Sequence, residues 1–204
     1  MMQSLFDKDE NSIEPIEIDN GIYIYNPTFY EKEVADSYFS ELLNSIIWEQ
    51  QKMNMYGKEV LFPRLTTWYG DNDKPYSFSG ITLNPHAWNS LLLNIKKDIE
   101  NLSGSSFNSV LLNRYRDGND SISWHTDAEK ELGENPVIAS VNFGEERVFQ
   151  LKHKDTGERI DIPLKHGSVL IMMGELQHFW KHQIPKSKKI LKERINLTFR
   201  MIKS

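Results

Sequence analysis

A histidine and an aspartate two residues apart, His125 and Asp127, have the types and the spacing that metal chemistry requires. On an extended backbone, side chains at positions i and i+2 point to the same face, so an imidazole and a carboxylate would lie side by side. Together they make two thirds of the 2-His-1-carboxylate set that binds non-haem Fe(II). The pair alone proves little, because His-x-Asp also occurs by chance.

Two further histidines, His178 and His182, follow downstream. They are four residues apart and would share a face of either a helix or a strand. Either could supply the second imidazole of an iron site, and the spacing does not choose between them. The alternative for each is a polar residue at the surface or beside the ligands.

Residues 194–201 alternate between polar and apolar side chains. In a strand, one face would carry Ile195, Leu197, Phe199 and Met201, and the other Arg194, Asn196, Thr198 and Arg200. Such alternation is commonly a surface strand with a solvated polar face. The polar face also suits a cosubstrate with two carboxylates, because guanidinium binds carboxylate through paired hydrogen bonds. Both arginines would have to converge to contact one small diacid.

Asn113 and Tyr115 share a face by the same rule, and an amide and a phenol there could hydrogen-bond a carboxylate. The alternative is the ordinary polarity of a sheet edge.

The chain of 204 residues contains no cysteine. Disulfides, zinc-thiolate sites, iron–sulfur clusters and thiol catalysis are therefore excluded, and any bound metal must be held by His, Asp or Glu. The length fits one domain with a sizeable core. The sequence shows no signal peptide and no apolar run approaching the roughly 18 residues that span a bilayer. These features predict a soluble intracellular protein with no membrane partner.

Charge is distributed unevenly along the chain. The net charge is −5, yet residues 181–204 carry eight Lys or Arg and one acid, Glu193. A negative protein is a poor partner for nucleic acid, whereas a local cationic surface is a good one. The alternative is that the lysines of residues 186–192 form a solvated loop, and the sequence leaves both interpretations open.

The elements that must position these residues fall into two groups. Acidic residues 1–20 predict a flexible arm, followed by a strand at 21–25. A capping-box pattern, Thr28-x-x-Glu31, predicts a helix to about Ile47, and Asn84-Pro85 or its neighbour starts a second helix to about Leu102. Short strands follow, at 110–116, 137–143, 148–153, 159–164, 168–173 and 195–201, with a hairpin turn at residues 155–158. Two helices followed by closely spaced strands predict one α+β domain with a sandwich or barrel.

The spacing of these motifs resembles the AlkB family of Fe(II)/2-oxoglutarate dioxygenases, which repair alkylated nucleic acid by oxidative demethylation. Asn113-Arg-Tyr lies twelve residues before His125-x-Asp127, and His182 lies twelve residues before Arg194-x-Asn-Leu-Thr-Phe-Arg200, the most specific of the motifs. Pro63-Arg-Leu-Thr66, Tyr76-Ser-Phe-Ser-Gly80 and Ala139-Ser-Val-Asn-Phe-Gly144 further resemble the branch that contains the two human DNA-repair enzymes. The resemblance runs from about residue 56 to 201.

The resemblance implies a double-stranded β-helix (jelly roll) with the N-terminal helices packed on one sheet. Residues 21–204 would form the single domain, with a nucleotide-recognition lid at 48–80 and the jelly-roll core at 108–204. The family spacing to the first arginine selects His182, so the implied iron ligands are His125, Asp127 and His182. The implied 2-oxoglutarate residues are Asn113, Tyr115, Arg194, Asn196, Thr198 and Arg200.

The resemblance also implies a reaction and a substrate. Hydroxylation of the methyl group of N1-methyladenine or N3-methylcytosine, with Fe(II), 2-oxoglutarate and O2, would release formaldehyde, succinate and CO2. The implied substrate contacts are Tyr56, Gly57, Lys58, Arg64, Tyr76, Ser77, Phe78 and Glu129, with Tyr56 where the family places a Phe wedge. The alternative for the aromatic residues is core packing.

The partner would be alkylated DNA, single- or double-stranded, or RNA, bound by a monomer that is cytoplasmic in a bacterium or nuclear in a eukaryote. Two alternative hypotheses remain. One is the same iron chemistry on RNA, protein or a small molecule, and the other is a non-catalytic jelly-roll module that binds nucleic acid or metal without turnover.

Overall fold

The computed structural model describes residues 14–55, 58–71, 76–78, 81–189 and 191–203. The strands are β1 (Ile16–Ile18), β2 (Gly21–Asn26), β3 (Lys52–Met55), β4 (Lys58–Leu61), β5 (Leu65–Gly70), β6 (Tyr76–Phe78), β7 (Ile81–Leu83), β8 (Ser109–Tyr115), β9 (Ile122–His125), β10 (Ile138–Gly144), β11 (Arg147–His153), β12 (Arg159–Leu164), β13 (Ser168–Met173), β14 (Trp180–Ile184) and β15 (Arg194–Arg200). The helices are α1 (Lys32–Ser45), α2 (Ser90–Ser103) and the short α3 (Leu176–Phe179), with a 3-10 turn at Lys130–Leu132. Among the described helices, none is long and apolar enough to cross a lipid bilayer.

Two antiparallel sheets form the centre of the molecule. The larger has seven strands in the order β1-β2-β13-β10-β15-β8-β5, and the smaller has four in the order β12-β11-β14-β9. Two separate hairpins, β3-β4 and β6-β7, complete the described strands. This arrangement agrees with the predicted α+β jelly roll.

The larger sheet separates two apolar layers because its strands alternate with a period of two. On one face it packs against α1 and α2 through Ala35, Leu42, Leu91, Leu92, Ile95, Ile99, Val110, Leu112, Ala139, Val141, Phe143, Ile195, Leu197 and Phe199. Its other face meets the smaller sheet through residues that include Ile138, Leu151, Leu170, Met172, Trp180 and Ile184. Each fully buried aliphatic side chain of this kind stabilises the fold by about 1.5–3 kcal/mol.

Strand β15 lies in the middle of the larger sheet, between β10 and β8. Its Asn196 pairs with Asn142 on one side and with Asn113 on the other. Every residue from Arg194 to Arg200 is buried, including the four polar ones. The strand is therefore not a solvated edge, and its polar face is enclosed inside the protein.

The two long helices begin later than the sequence predicts. α1 begins at Lys32 after Glu31, which makes no side-chain cap, while the backbone N–H of Thr28 donates to Asn26 in a turn. The capping-box prediction is therefore wrong. α2 begins at Ser90, because the side chain of Asn89 accepts the backbone N–H of Leu92 and caps the first turn.

The sequence does not predict strands β9 and β14, and strand β1 lies within the predicted arm. β14 has Trp180, His182 and Ile184 buried with Lys181 and Gln183 facing outward, an alternation that hydrophobicity conceals because a histidine takes an inward position. Strand β9, which has no residue that is fully buried, is likewise absent from the predicted strands. Within the predicted arm, Ile16–Ile18 pairs with β2 as part of the larger sheet, while residues 1–13 lie outside the described residues.

Candidate metal centre

The smaller sheet brings His125, Asp127 and His182 together. His125 on β9 and His182 on β14 are direct cross-strand partners, and their ring centroids lie 4.2 Å apart. Asp127 follows β9, with one carboxylate oxygen 3.9 Å from Nε2 of His125. The candidate ligand atoms of all three residues lie within 4.8 Å of one another, close enough to bind one cation together.

Each of the three side chains is oriented by a neighbour. Nδ1 of His125 lies 2.8 Å from the carbonyl oxygen of Ser123, a contact that leaves Nε2 as the ligand nitrogen. The ring of His182 stacks on Phe149 with centroids 5.1 Å apart. The backbone N–H of Asp127 donates to Oε1 of the buried Gln177 at 2.9 Å.

The electrostatics of the cluster favour the protonation states that a metal requires. Burial raises the pKa of Asp127, but the positive charge of Arg200 and the neighbouring imidazoles outweigh burial and bring the pKa to about 2. Burial and the neighbouring His125 lower the pKa of His182 to about 3. At neutral pH the site thus offers an ionised carboxylate and a neutral imidazole, which is the form of each that binds metal.

The structure separates the two downstream histidines that their spacing alone leaves equivalent. His178 lies on the short helix α3 with its side chain exposed, while His182 is buried beside His125 and Asp127. Because His178 lies on a turn of helix and His182 on the strand that follows, the two rings do not share a face.

A cavity of about 650 Å³ opens in front of the three residues. All six residues expected to bind 2-oxoglutarate line it: Asn113, Tyr115, Arg194, Asn196, Thr198 and Arg200. They come from β8 and β15 of the larger sheet, so the cavity lies between that sheet and the three candidate ligands. Its volume is in the range of small-molecule sites in proteins.

The two arginines of β15 have different partners. Nη2 of Arg200 donates to Asp127 Oδ2 at 2.8 Å in a buried ion pair. Arg194 donates to Asn142 Oδ1 at 2.6 Å, and its guanidinium carbon lies 4.9 Å from the ring centroid of Tyr115. The two arginines thus line the same cavity with different protein partners, and Arg200 is paired with the candidate metal ligand Asp127.

Arg194 has the character of an anion receptor. Its Nε and Nη1 are buried and have no hydrogen-bond partner among the described residues. Burial lowers the pKa of Arg194 to about 10, which keeps it charged at neutral pH. A buried cation with unsatisfied donors is costly unless an anion completes it, so the residues present fit a bound carboxylate.

Two residues of this face were not predicted as site residues. Ser140 and Asn142 on β10 accept hydrogen bonds from the side-chain nitrogen of Asn196, at 2.8 and 3.1 Å. The signal was present in the sequence, since residues 138–143 alternate as the 194–201 segment does. Gln177, which holds the backbone of Asp127, carries no such signal.

The expected substrate contacts are placed unevenly. Glu129 and Arg64 both line the cavity. The guanidinium of Arg64 is buried and donates to Asn113 and Ser121 of the protein, and its contact with substrate stays a prediction. Tyr56 and Gly57 lie outside the described residues. Lys58 begins β4, and Tyr76, Ser77 and Phe78 form β6, and for these four the structure describes the backbone.

Fold and site together define a jelly roll with a 2-His-1-carboxylate metal site. Residues 21–200 match the family model of the 2OG-Fe(II) oxygenase superfamily. The chain is 43% identical over 187 residues to the Alpha-ketoglutarate-dependent dioxygenase alkB homolog 3 of Bos taurus, which covers 86% of this chain and 64% of the relative. It is 39% identical over 184 residues to the DNA oxidative demethylase ALKBH2 of Homo sapiens, covering 85% of this chain and 70% of the relative.

A solved structure, OsALKBH1, shares the fold with a TM-score of 0.60 at 15% identity, over 88% of this chain and 97% of that one. The chain belongs to the 2OG-Fe(II) oxygenase superfamily and, within it, to the AlkB-like family. It spans 64% of the length of the bovine alkB homolog 3. The predicted family, fold class and cofactor set of Fe(II), 2-oxoglutarate and O2 are confirmed.

Proposed function

We propose that this protein is an oxidative demethylase of alkylated DNA, acting on N1-methyladenine and N3-methylcytosine. The observation that carries the proposal is the enclosed polar face of β15, which places Arg194 in the same cavity as His125, Asp127 and His182. Two guanidinium nitrogens of Arg194 have no hydrogen-bond partner among the described residues. Relatives named as a DNA oxidative demethylase and as a ketoglutarate-dependent dioxygenase support it.

When bound, Fe(II) together with 2-oxoglutarate and O2 supplies the oxidising power for the methyl group. His125, Asp127 and His182 would hold the metal on one face and leave the cavity side open. Arg194 would hold the carboxylate of 2-oxoglutarate that lies away from the metal, and Asn113 and Tyr115 would donate hydrogen bonds to the same carboxylate. Arg200 would keep the carboxylate of Asp127 ionised and fixed in orientation.

The chemistry of N1-methyladenine and N3-methylcytosine suits the part of the cavity wall that contains Glu129. Both methylated bases carry a positive charge and an amino group beside the methylated nitrogen. The carboxyl group of Glu129 in the cavity wall would attract such a base and accept a hydrogen bond from its amino group. The base must leave the helix stack to enter the cavity, and its hydroxylated methyl group then leaves as formaldehyde.

The lysines after β14 support a nucleic-acid partner. Lys186 lines the cavity and is exposed, and Lys188 and Lys189 beside it are also exposed. Exposed cations at the mouth of a substrate cavity suit the phosphate backbone, and each phosphate contact steepens the salt dependence of binding. A DNA substrate would place the protein inside the cell. We propose that it acts there as a monomer.

Formaldehyde release with Fe(II) and 2-oxoglutarate tests the proposal. Methylated single-stranded DNA, duplex DNA and RNA oligonucleotides would be compared, using the parent protein, Arg194→Met and the control Arg114→Met. Arg114 lies on β8 and pairs with Glu193 away from the cavity. We expect release from DNA by the parent and Arg114→Met, and a large loss in Arg194→Met.

Release from RNA alone would contradict the assignment of DNA as the substrate. Binding of methylated DNA without any release would indicate a binding module and contradict the assignment as an enzyme.

A further inference from the structure

Arg64 joins three parts of the cavity wall that are distant in sequence. It is 5% exposed. Its Nε donates to Oδ1 of Asn113 at 2.7 Å, and its Nη1 donates to the carbonyl oxygen of Ser121 at 3.2 Å. Its guanidinium carbon lies 5.0 Å from the ring centroid of Phe62. A side chain this enclosed, with two of its three guanidinium nitrogens hydrogen-bonded to different segments, holds its neighbours in one arrangement.

The first of these hydrogen bonds decides which way the amide of Asn113 faces. A guanidinium can only donate, so its partner must be the amide oxygen. The amide nitrogen of Asn113 then remains as the donor that this residue offers to the cavity it lines. An anionic cosubstrate requires donors, and a reversed amide would present it with an oxygen instead.

The second connection joins the segment that contains Arg64 to the β3-β4 hairpin. Arg64 ends the segment that continues strand β4, and residues 60–64 line the cavity. The backbone N–H of Phe62 donates to Gln51 at 2.8 Å, and the carbonyl of Pro63 accepts from Ser121 at 2.9 Å. The β3-β4 hairpin is thus tied through Arg64 to Asn113, and through both Arg64 and Pro63 to Ser121, the residue just before β9, which carries His125.

We propose that Arg64 is a positioning residue that couples cosubstrate binding to the β3-β4 hairpin. It orients Asn113 for 2-oxoglutarate, and by reciprocity 2-oxoglutarate held at Asn113 stabilises the hairpin wall of the cavity. The inference rests on the proposed function in taking 2-oxoglutarate as the anion beside Asn113. It assigns Arg64 no contact with the reacting atoms.

Amide hydrogen exchange on the full chain tests the coupling without turnover. The protein would be loaded with Mn(II), and exchange in residues 52–55 and 58–61 compared with and without 2-oxoglutarate. We expect 2-oxoglutarate to slow exchange in the hairpin of the parent and of Arg114→Met, and to leave it unaffected in Arg64→Met. Hairpin exchange that 2-oxoglutarate does not alter in the parent would overturn the proposal.

Calorimetric affinities provide a second test that a merely structural role would not satisfy. In Arg64→Met we expect the Kd of 2-oxoglutarate in the presence of Mn(II) to rise about tenfold, the effect of losing one charge-assisted hydrogen bond. The Kd of Mn(II) alone should stay at the parent value, because Arg64 donates hydrogen bonds to Asn113 and Ser121, which are not candidate metal ligands. Arg64→Lys should recover part of the loss, since one ammonium can donate to one of the two acceptors.

Equal 2-oxoglutarate affinity in Arg64→Met and Arg114→Met would overturn the proposal, as would a parallel loss of Mn(II) affinity. Neither experiment uses DNA. A protein that shows the 2-oxoglutarate effect on the hairpin but releases no formaldehyde from any oligonucleotide would keep this inference and refute the proposed substrate.

Discussion

Asp127 is the most constrained residue of the site. Its carboxylate accepts from Arg200, its backbone N–H donates to Gln177, and the imidazoles of His125 and His182 lie beside it. Removing any one partner leaves a buried charge or a buried donor without compensation, which costs more than the contact itself contributes. The orientation of the candidate metal ligands therefore depends on residues that do not bind metal.

Replacing His182 tests the candidate ligand set. In His182→Ala we expect the affinity for Mn(II) or Fe(II) to fall by more than the roughly 10–100-fold that loss of an outer hydrogen-bond partner costs. His178→Ala is the matched control, because His178 is exposed on α3 and outside the cluster. Metal affinity measured by calorimetry would refute the assignment if the two variants bound metal equally well.

The metal-free protein should lose stability in mild acid because of His182. Its pKa in the folded protein is about 3, below the unfolded value of about 6.5, so the unfolded chain takes up the proton first. The contribution is unaffected above pH 6.5, and stability falls by up to about 1.4 kcal/mol per pH unit as the pH drops from there toward 3. Asp127, whose pKa is lowered, loses its contribution only in stronger acid, as the pH falls through about 2.

Urea unfolding at pH 7 and pH 5 would measure this effect. We expect a smaller difference between the two pH values in His182→Asn than in the parent, with His178→Asn resembling the parent. A pH dependence that His182→Asn leaves unchanged would show that other groups cause it.

At the scale of elements, strand β15 supplies the cosubstrate face and its neighbours hold it. β8 pairs with β15 over its whole length and β10 over residues 194–199, and together they contribute Ser140, Asn142 and Asn113 to the same face. The opposite face is fixed by Leu197 and Phe199 under the helices. A register shift of one residue would exchange the two faces, so the apolar packing also specifies where the arginines point.

The junction of β10 with the segment before β15 offers a test of this framework. Gly144 has φ +89°, and a Cβ there would clash with the carbonyl of Glu193 and the ring of Phe39. Gly157, in the β11-β12 turn, has φ +75° and open space around a Cβ. We expect Gly157→Ala to cost about 1 kcal/mol and Gly144→Ala about 3 kcal/mol, because only the second adds a clash to the strained backbone.

Chemical denaturation of the two variants gives the comparison directly. Equal losses of stability would mean that the backbone conformation alone matters and that the strand ends can move apart.

The sequence predicts the parts of this site that depend on local pattern. Alternation over residues 194–201 places Arg194 and Arg200 on one face, and the two-residue spacing places His125 beside Asp127. The ion pair between Arg200 and Asp127 joins residues far apart in the chain, and no local period reports it. Arg64 shows the same limit, because its buried hydrogen bond to Asn113 also joins residues far apart in the chain that no local period connects.

At the scale of the whole molecule, the site lies between the two sheets. His125 and His182 belong to the smaller sheet, and Arg194, Asn196 and Asn113 to the larger. A ligand held from both sides binds only when the sheets face each other, so its binding free energy adds to the stability of the assembled fold.

Thermal unfolding should therefore depend on both ligands. With Mn(II) present, 2-oxoglutarate at one hundred times its Kd should add about 2.7 kcal/mol of stability to the parent. In Arg194→Met at the same concentrations, the increment from Mn(II) should remain and that from 2-oxoglutarate should largely disappear. An equal 2-oxoglutarate increment in both proteins would show that Arg194 does not hold the cosubstrate.

The central place of β15 has a consequence for biosynthesis. Its neighbours β8 and β10 leave the ribosome earlier and must wait for residues 194–200 before the larger sheet can close. Until then both neighbours present unpaired backbone edges in the middle of the molecule, where nascent chains are prone to aggregate. A ribosome that stalls before residue 194 would thus leave a split sheet, a natural client for a chaperone.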